Sequence, residues 1–111
     1  MPTLDPNIQS FLANAGNVFG DAPEKLGAQE WRRRMEEFSA AARAPRPAGV
    51  IVRDETLHAN GREFIVRIYR PLGPAQQPAL IYMHGGGWVL GSVNTHDGIT
   101  AGIAKEANLT V

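Results

Sequence analysis

The sequence predicts an α/β fold whose sheet this chain only partly supplies, and three observations carry that expectation. An apolar run from Ala79 to Met83 breaks at His84 into Gly85-Gly86-Gly87 and leads towards a helical pattern, the order strand, loop, helix. Two strand-like stretches flank Asn60-Gly61, the dipeptide favoured in two-residue hairpins because both turn positions need φ > 0. The segment before Ala48 reads as helix and linker only. The chain is therefore divided into an N-terminal helical region, residues 1–47, and part of an α/β core, residues 48–111.

Each element has a local reason. Asp5-Pro6 starts a helix, with Asp as N-cap and Pro in the first turn. Ile8, Phe11, Leu12 and Ala15 then recur at i, i+3, i+4 and i+7, and Gly16 is expected to end the helix. A second helix is expected from about Pro23 to Ala42, capped near Asp21 or Ala22, with Trp31, Met35, Phe38 and Ala42 on one stripe. Arg32–Glu36 and Arg33–Glu37 are spaced to pair along it. Ala44-Pro45-Arg46-Pro47 ends it as a linker. Gly49 to Ala59 and Glu63 to Tyr69 form the hairpin strands, with Phe64, Val66 and Ile68 alternating against Glu63, Ile65, Arg67 and Tyr69. The run into the glycines is the third strand. Asn94 or Thr95 caps the next helix, whose apolar face is Ile99, Ile103 and Ala107 with Ala104 beside it. Leu109-Thr110-Val111 begins a further strand, expected to be central and buried on both faces. Left without neighbours, the third strand exposes edges and apolar surface, so the 111-residue chain by itself is expected to fold poorly or to self-associate as a homo-oligomer.

Composition excludes several functional classes. Lys+Arg and Asp+Glu both number 11, so no net charge favours nucleic acid or an anionic membrane. Arg32-Arg33-Arg34 is offset by Glu30, Glu36 and Glu37 and reads as a solvated helix face. With no Cys there is neither a disulfide nor a thiolate metal site. His84 and His96 lack the spacing of a zinc-binding pair, and His58 reads as a strand surface residue, so no metal or other cofactor is expected. Residues 1–6 lack the basic and apolar regions of a signal peptide, and no stretch approaches the roughly 18 apolar residues of a membrane span. A cytoplasmic location is expected.

The chemistry is concentrated in His84-Gly85-Gly86-Gly87-Trp88-Val89-Leu90-Gly91-Ser92. The spacing of these glycines fits neither a Walker phosphate loop nor a dinucleotide-binding loop. A strand followed by His-Gly-Gly-Gly is the pattern of an oxyanion-hole loop. Ester hydrolysis by a serine develops negative charge on the former carbonyl oxygen, and two backbone N–H groups aimed at it stabilise the intermediate. Glycine lets the backbone adopt the conformations that turn those amides outward and lets a substrate approach.

These residues, with Thr95-His96-Asp97 after them, resemble the hormone-sensitive-lipase-like esterases, the α/β hydrolase fold-3 group. The resemblance implies an α/β-hydrolase fold of which this chain is the N-terminal part, with the hairpin as an antiparallel edge. It implies oxyanion donors at Gly86 and Gly87, an orienting rather than basic role for His84 beside Gly85, and Asp97 as a brace for the glycine loop. It also implies that residues 1–47 contribute to a lid over the active site, that Trp88 lines the acyl pocket, and that the substrate is a small ester. The nucleophile of that family lies in a G-x-S-x-G elbow. The only serines here are Ser10, Ser39 and Ser92, and none lies in such an elbow. Ser92, His96 and Asp97 include the three triad residue types but are not a triad, since His96 and Asp97 are helix neighbours pointing about 100° apart. The nucleophile, acid and base are thus expected beyond Val111. The alternative is a non-catalytic small-molecule-binding member of the same fold, as in the plant gibberellin receptors, or an inactive truncated product.

Overall fold

The computed structural model describes residues 3–20 and 23–111. Along the chain run α1 (Pro6–Phe19), a short 3₁₀ turn (Pro23–Lys25), α2 (Ala28–Ala41), β1 (Val50–Ala59), β2 (Arg62–Pro71) and α3 (Asp97–Ala107). Asp5 caps α1 as its sequence requires, its carboxylate accepting from the Asn7 amide at 2.8 Å. The helix does not stop at Gly16. It continues to Phe19 and closes on Gly20, whose amide bonds the Gly16 carbonyl and whose φ of +71° suits a residue without Cβ. A glycine inside a helix costs only about 1 kcal/mol, too little to end one that still has a partner to pack on. That partner is α2, met through an edge-on contact of Phe11 with Phe38 at 5.4 Å between ring centres.

The second helix is shorter than the sequence pattern. Its expected cap at Asp21 or Ala22 lies outside the described residues, and α2 proper begins after Gly27, which serves as N-cap without a side-chain bond. Arg33 pairs with Glu37 and also with Glu30, and Arg34 pairs with Glu30. Arg32 does not take up the expected bond to Glu36; its guanidinium turns to the loop after the glycines.

β1 and β2 pair antiparallel from Val50↔Pro71 to Ala59↔Arg62. Asn60 and Gly61 have φ of +51° and +72°, the left-handed pair that a two-residue turn demands. Gly61→Ala is expected to destabilise the hairpin by about 1 kcal/mol through backbone strain alone, because no neighbouring atom lies within 4 Å of the added Cβ. An unfolding midpoint equal to wild type would contradict this.

The rest of the sheet is narrower than the strand pattern implies. Segment 79–83 forms one parallel bridge, Ala79↔Thr110, rather than a full third strand. Leu80 N donates to Thr110 O at 2.8 Å, and Thr110 N to Pro78 O at 2.9 Å. On the side away from segment 79–83, Thr110-Val111 meets the hairpin, where Tyr69 and Val111 exchange both backbone bonds, at 2.8 and 2.9 Å. Thr110-Val111 therefore lies between β2 and the glycine-loop segment, the central place expected for it. Ile81 and Met83 are 87% and 86% exposed, so this apolar run lacks the double-sided cover that its sequence is suited to.

The core is small: Tyr69, Ala101 and Ala104 are buried, with Val50, Val52 and Val111 packed against them. Two expectations change here. Tyr69, grouped with the outward residues of its strand, is 2% exposed. The inward face of α3 is Asp97, Thr100, Ala101 and Ala104, while Ile99 is 56% exposed and Ala107 lies at the surface. The physical reason is shared. Small α3 residues allow the helix to approach the sheet, and the Tyr69 ring fills the space beneath while its hydroxyl reaches a polar partner.

Candidate functional site

The glycine loop is shaped by its own backbone. The amides of Val89 and Leu90 both donate to the Gly86 carbonyl, at 3.1 and 2.9 Å, closing a tight turn. Gly86, Gly87 and Gly91 have φ of +132°, +60° and +93°. Glycine is required at Gly86 because a Cβ there would lie 1.9 Å from the Leu90 carbonyl oxygen. At Gly91 it would lie 2.7 Å from both the Gly85 carbonyl oxygen and His84 Nδ1. Among the described residues, the amides of Gly85, Gly86 and Gly87 donate to no protein acceptor. Trp88 is also left-handed, at φ +59°, with a fully exposed side chain. A non-glycine residue in that region costs about 1–2 kcal/mol, and such strain clusters at functional sites.

His84 is exposed and lies against this turn. Its Nδ1 is 2.8 Å from the Gly85 carbonyl oxygen, and its ring stacks on His96 at 5.2 Å between centres. Ser92 Oγ accepts from the amides of Asn94 and Thr95, at 3.0 and 3.2 Å, while Thr95 Oγ1 accepts from the Ser92 amide at 2.8 Å. These bonds shape the entry to α3, so the cap expected at Asn94 or Thr95 is displaced. His96 is the N-cap residue, without a side-chain capping bond. Ser92 and His96 both bond Thr95, whereas the Asp97 carboxylate bonds Arg46, Arg67 and Tyr69, so the three form no catalytic relay.

Asp97 is 1% exposed and is the polar centre of the fold. Arg46 grips its carboxylate with Nε at 2.8 Å and Nη2 at 3.0 Å. Arg67 Nη1 donates at 3.0 Å and the Tyr69 hydroxyl at 2.7 Å. Arg67 also holds Asp54 through two bonds, at 2.6 and 2.9 Å, and the Val93 carbonyl at 3.2 Å. Burial by itself pushes the Asp97 carboxyl up, but the Arg46, Tyr69 and Arg67 bonds outweigh it and hold it at about 2. Burial likewise raises the Tyr69 hydroxyl. Among the described residues these partners come from the linker and β2, not from Gly85–Gly87. Through these bonds Asp97 ties α3 to β2 and the linker. Sequence reading missed Arg46 and Arg67 because their partner lies about 50 and 30 positions away along the chain.

Beside the loop runs a groove of about 580 Å³, walled by Phe64, Val66, Leu80, Tyr82, His84 and His96 among others. Trp88 does not line it and projects outward from the turn. His58 lies on the hairpin surface, 3.8 Å from Glu63. The described residues hold no group of three or more His, Cys, Asp or Glu side chains able to hold a metal ion. No helix among them is long and apolar enough to cross a membrane.

Comparison with known proteins places this geometry. Residues 80–111 match the family model described as the alpha/beta hydrolase fold. An ethyl acetate hydrolase of Pseudomonas putida is 35% identical, over 98% of this chain and 37% of its own length. An arylesterase of Saccharolobus solfataricus is 31% identical, over 97% of this chain and 35% of its own. The hyperthermophilic esterase of the archaeon Pyrobaculum calidifontis superposes with a TM-score of 0.79 at 31% identity, over 100% of this chain and 35% of that one. The chain thus spans about a third of the length of these relatives. Within that third, the hairpin, the glycine turn and the helix after it have the α/β-hydrolase fold, and the chain is similar along its length to esterases of that fold.

Proposed function

We propose that the protein is a carboxylic-ester hydrolase in which Gly86 and Gly87 donate backbone N–H groups to the oxyanion of a tetrahedral intermediate. The observation that carries this reading is the turn at residues 86–90, where the amides of the left-handed Gly86 and Gly87 have no protein acceptor among the described residues. Similarity to an ethyl acetate hydrolase and an arylesterase supports a small ester as substrate. The attacking serine, its histidine base and the orienting carboxylate would be supplied outside residues 1–111, since Ser92 is occupied in a turn. In this reading residues 1–47 form part of a lid, residues 48–111 part of the catalytic core, and His84 orients the loop while Trp88 meets the acyl group. The absence of Cys is compatible with a cytoplasmic location, the zero net charge gives no support for a nucleic-acid partner, and the exposed edge at Ile81 and Met83 favours self-association of the chain.

A fluorophosphonate probe applied to the complete gene product tests the assignment. Covalent labelling of a serine is expected. A folded product that stays unlabelled and hydrolyses no p-nitrophenyl ester would overturn it in favour of a non-catalytic binder on the same fold.

A further inference from the structure

Arginines from α2 and the linker grip the segment after the glycine loop in the same order as their partners. Arg32 Nε donates to the Val89 carbonyl at 2.6 Å, and Arg43 Nη2 to the Asn94 carbonyl at 3.1 Å. Arg46 follows with both its bonds to Asp97. The first of these differs from the others because Val89 belongs to the glycine turn itself. Its N–H is held by the Gly86 carbonyl and its C=O by Arg32. Between those anchors lie Gly87 and Trp88, both left-handed. Trp88 is 104% exposed, so side-chain packing does not offset its strained conformation. What keeps it there is the fixation of the turn at its two ends. If the outer end were released, Trp88 could relax towards ordinary φ and rotate the Gly87–Trp88 peptide, and the amides before it would lose their aim.

We propose that Arg32 is a positioning residue for the glycine loop, holding the 86–90 turn in the conformation that points the Gly86 and Gly87 amides at the reacting oxygen. The inference rests on the oxyanion reading of those amides. It also makes the N-terminal helical region part of the catalytic geometry, since a displacement of α2 reaches the loop through one hydrogen bond. The neighbouring arginines supply the contrast. Arg33 bonds only Glu30 and Glu37 among the described residues, and Arg34 bonds Glu30 and the Val18 carbonyl. The three consecutive cations that read as one solvated face therefore have three different tasks.

The test compares Arg32→Ala, Arg32→Lys and Arg33→Ala in the complete gene product. Its readouts are kcat and KM for p-nitrophenyl acetate and hydrogen exchange of the amides of Val89 and Leu90. Arg32→Ala is expected to lower kcat about tenfold with KM little changed, because the lost interaction matters where charge develops. Exchange at both amides should accelerate in parallel. Arg32→Lys keeps a donor and should restore most of both, and Arg33→Ala should match wild type. If Arg32→Ala behaves like Arg33→Ala, or accelerates exchange without lowering kcat, the inference is wrong. Gly86→Ala separates it from the reading beneath it. Full turnover in that variant removes the oxyanion assignment, whereas a dead Gly86→Ala beside an unaffected Arg32→Ala removes only the role of Arg32.

Discussion

Replacing Asp97 with alanine is expected to destabilise the fold by about 3–5 kcal/mol, the cost of removing one partner from a buried ionic cluster. The carboxylate accepts four bonds, from Arg46, Arg67 and Tyr69, and is 1% exposed. Truncation leaves the Arg46 guanidinium and the buried Tyr69 hydroxyl without this acceptor and removes one of the bonds of Arg67, so α3 loses its tie to β2 and the linker. Asp97→Asn retains the shape but not the charge, and should fall between wild type and alanine. Urea unfolding followed by far-UV circular dichroism reads the change in midpoint. A loss below about 1 kcal/mol would mean that the cluster is no more than a set of surface ion pairs.

The same carboxylate predicts a pH dependence with a definite sign. Its value is lowered from 3.8 to about 2 in the folded chain, so the folded state favours the charged form. That contribution is complete above about pH 4 and is lost as pH falls through 2, amounting to about 2 kcal/mol. Stability that still falls between pH 4 and 2 in Asp97→Asn, as steeply as in wild type, would assign the acid transition to other carboxylates. Asp54, lowered by its hydrogen bonds with Arg67, is the nearest candidate.

Gly86→Ala is the second large effect, and it falls on activity. A Cβ at this position would sit 1.9 Å from the Leu90 carbonyl oxygen and 2.5 Å from its carbon, so the turn cannot keep its form. Loss of one oxyanion donor lowers kcat by about 10²–10³, and a displaced turn moves both donors. Hydrolysis by the complete gene product should drop at least that far. Gly87→Ala is the informative partner, because nothing lies within 4 Å of its added Cβ and only backbone strain opposes it. It should keep the fold and lose less activity than Gly86→Ala. Equal, near-wild-type turnover in both would show that these amides do not meet the reacting oxygen.

Local physics made much of this legible in the sequence. The Asn60-Gly61 turn needs only two left-handed residues, and the Asp5 cap only a carboxylate beside an N-terminal turn. The break from an apolar run into Gly85-Gly86-Gly87 likewise follows from what glycine permits. Helix ends were less legible, because Gly16 and Gly27 carry small penalties that neighbouring packing can override or expose. What only the tertiary structure decided was the use of the charged residues. The sequence offers Arg32 a partner one turn away at Glu36, yet the fold gives it the Val89 carbonyl. Asp97 stands in sequence close after the glycine loop, and burial between α3 and β2 gives it Arg46, Arg67 and Tyr69 as partners. A buried carboxylate takes whatever donors the assembled fold brings within 3 Å, and sequence spacing says nothing about partners 28 to 51 residues away.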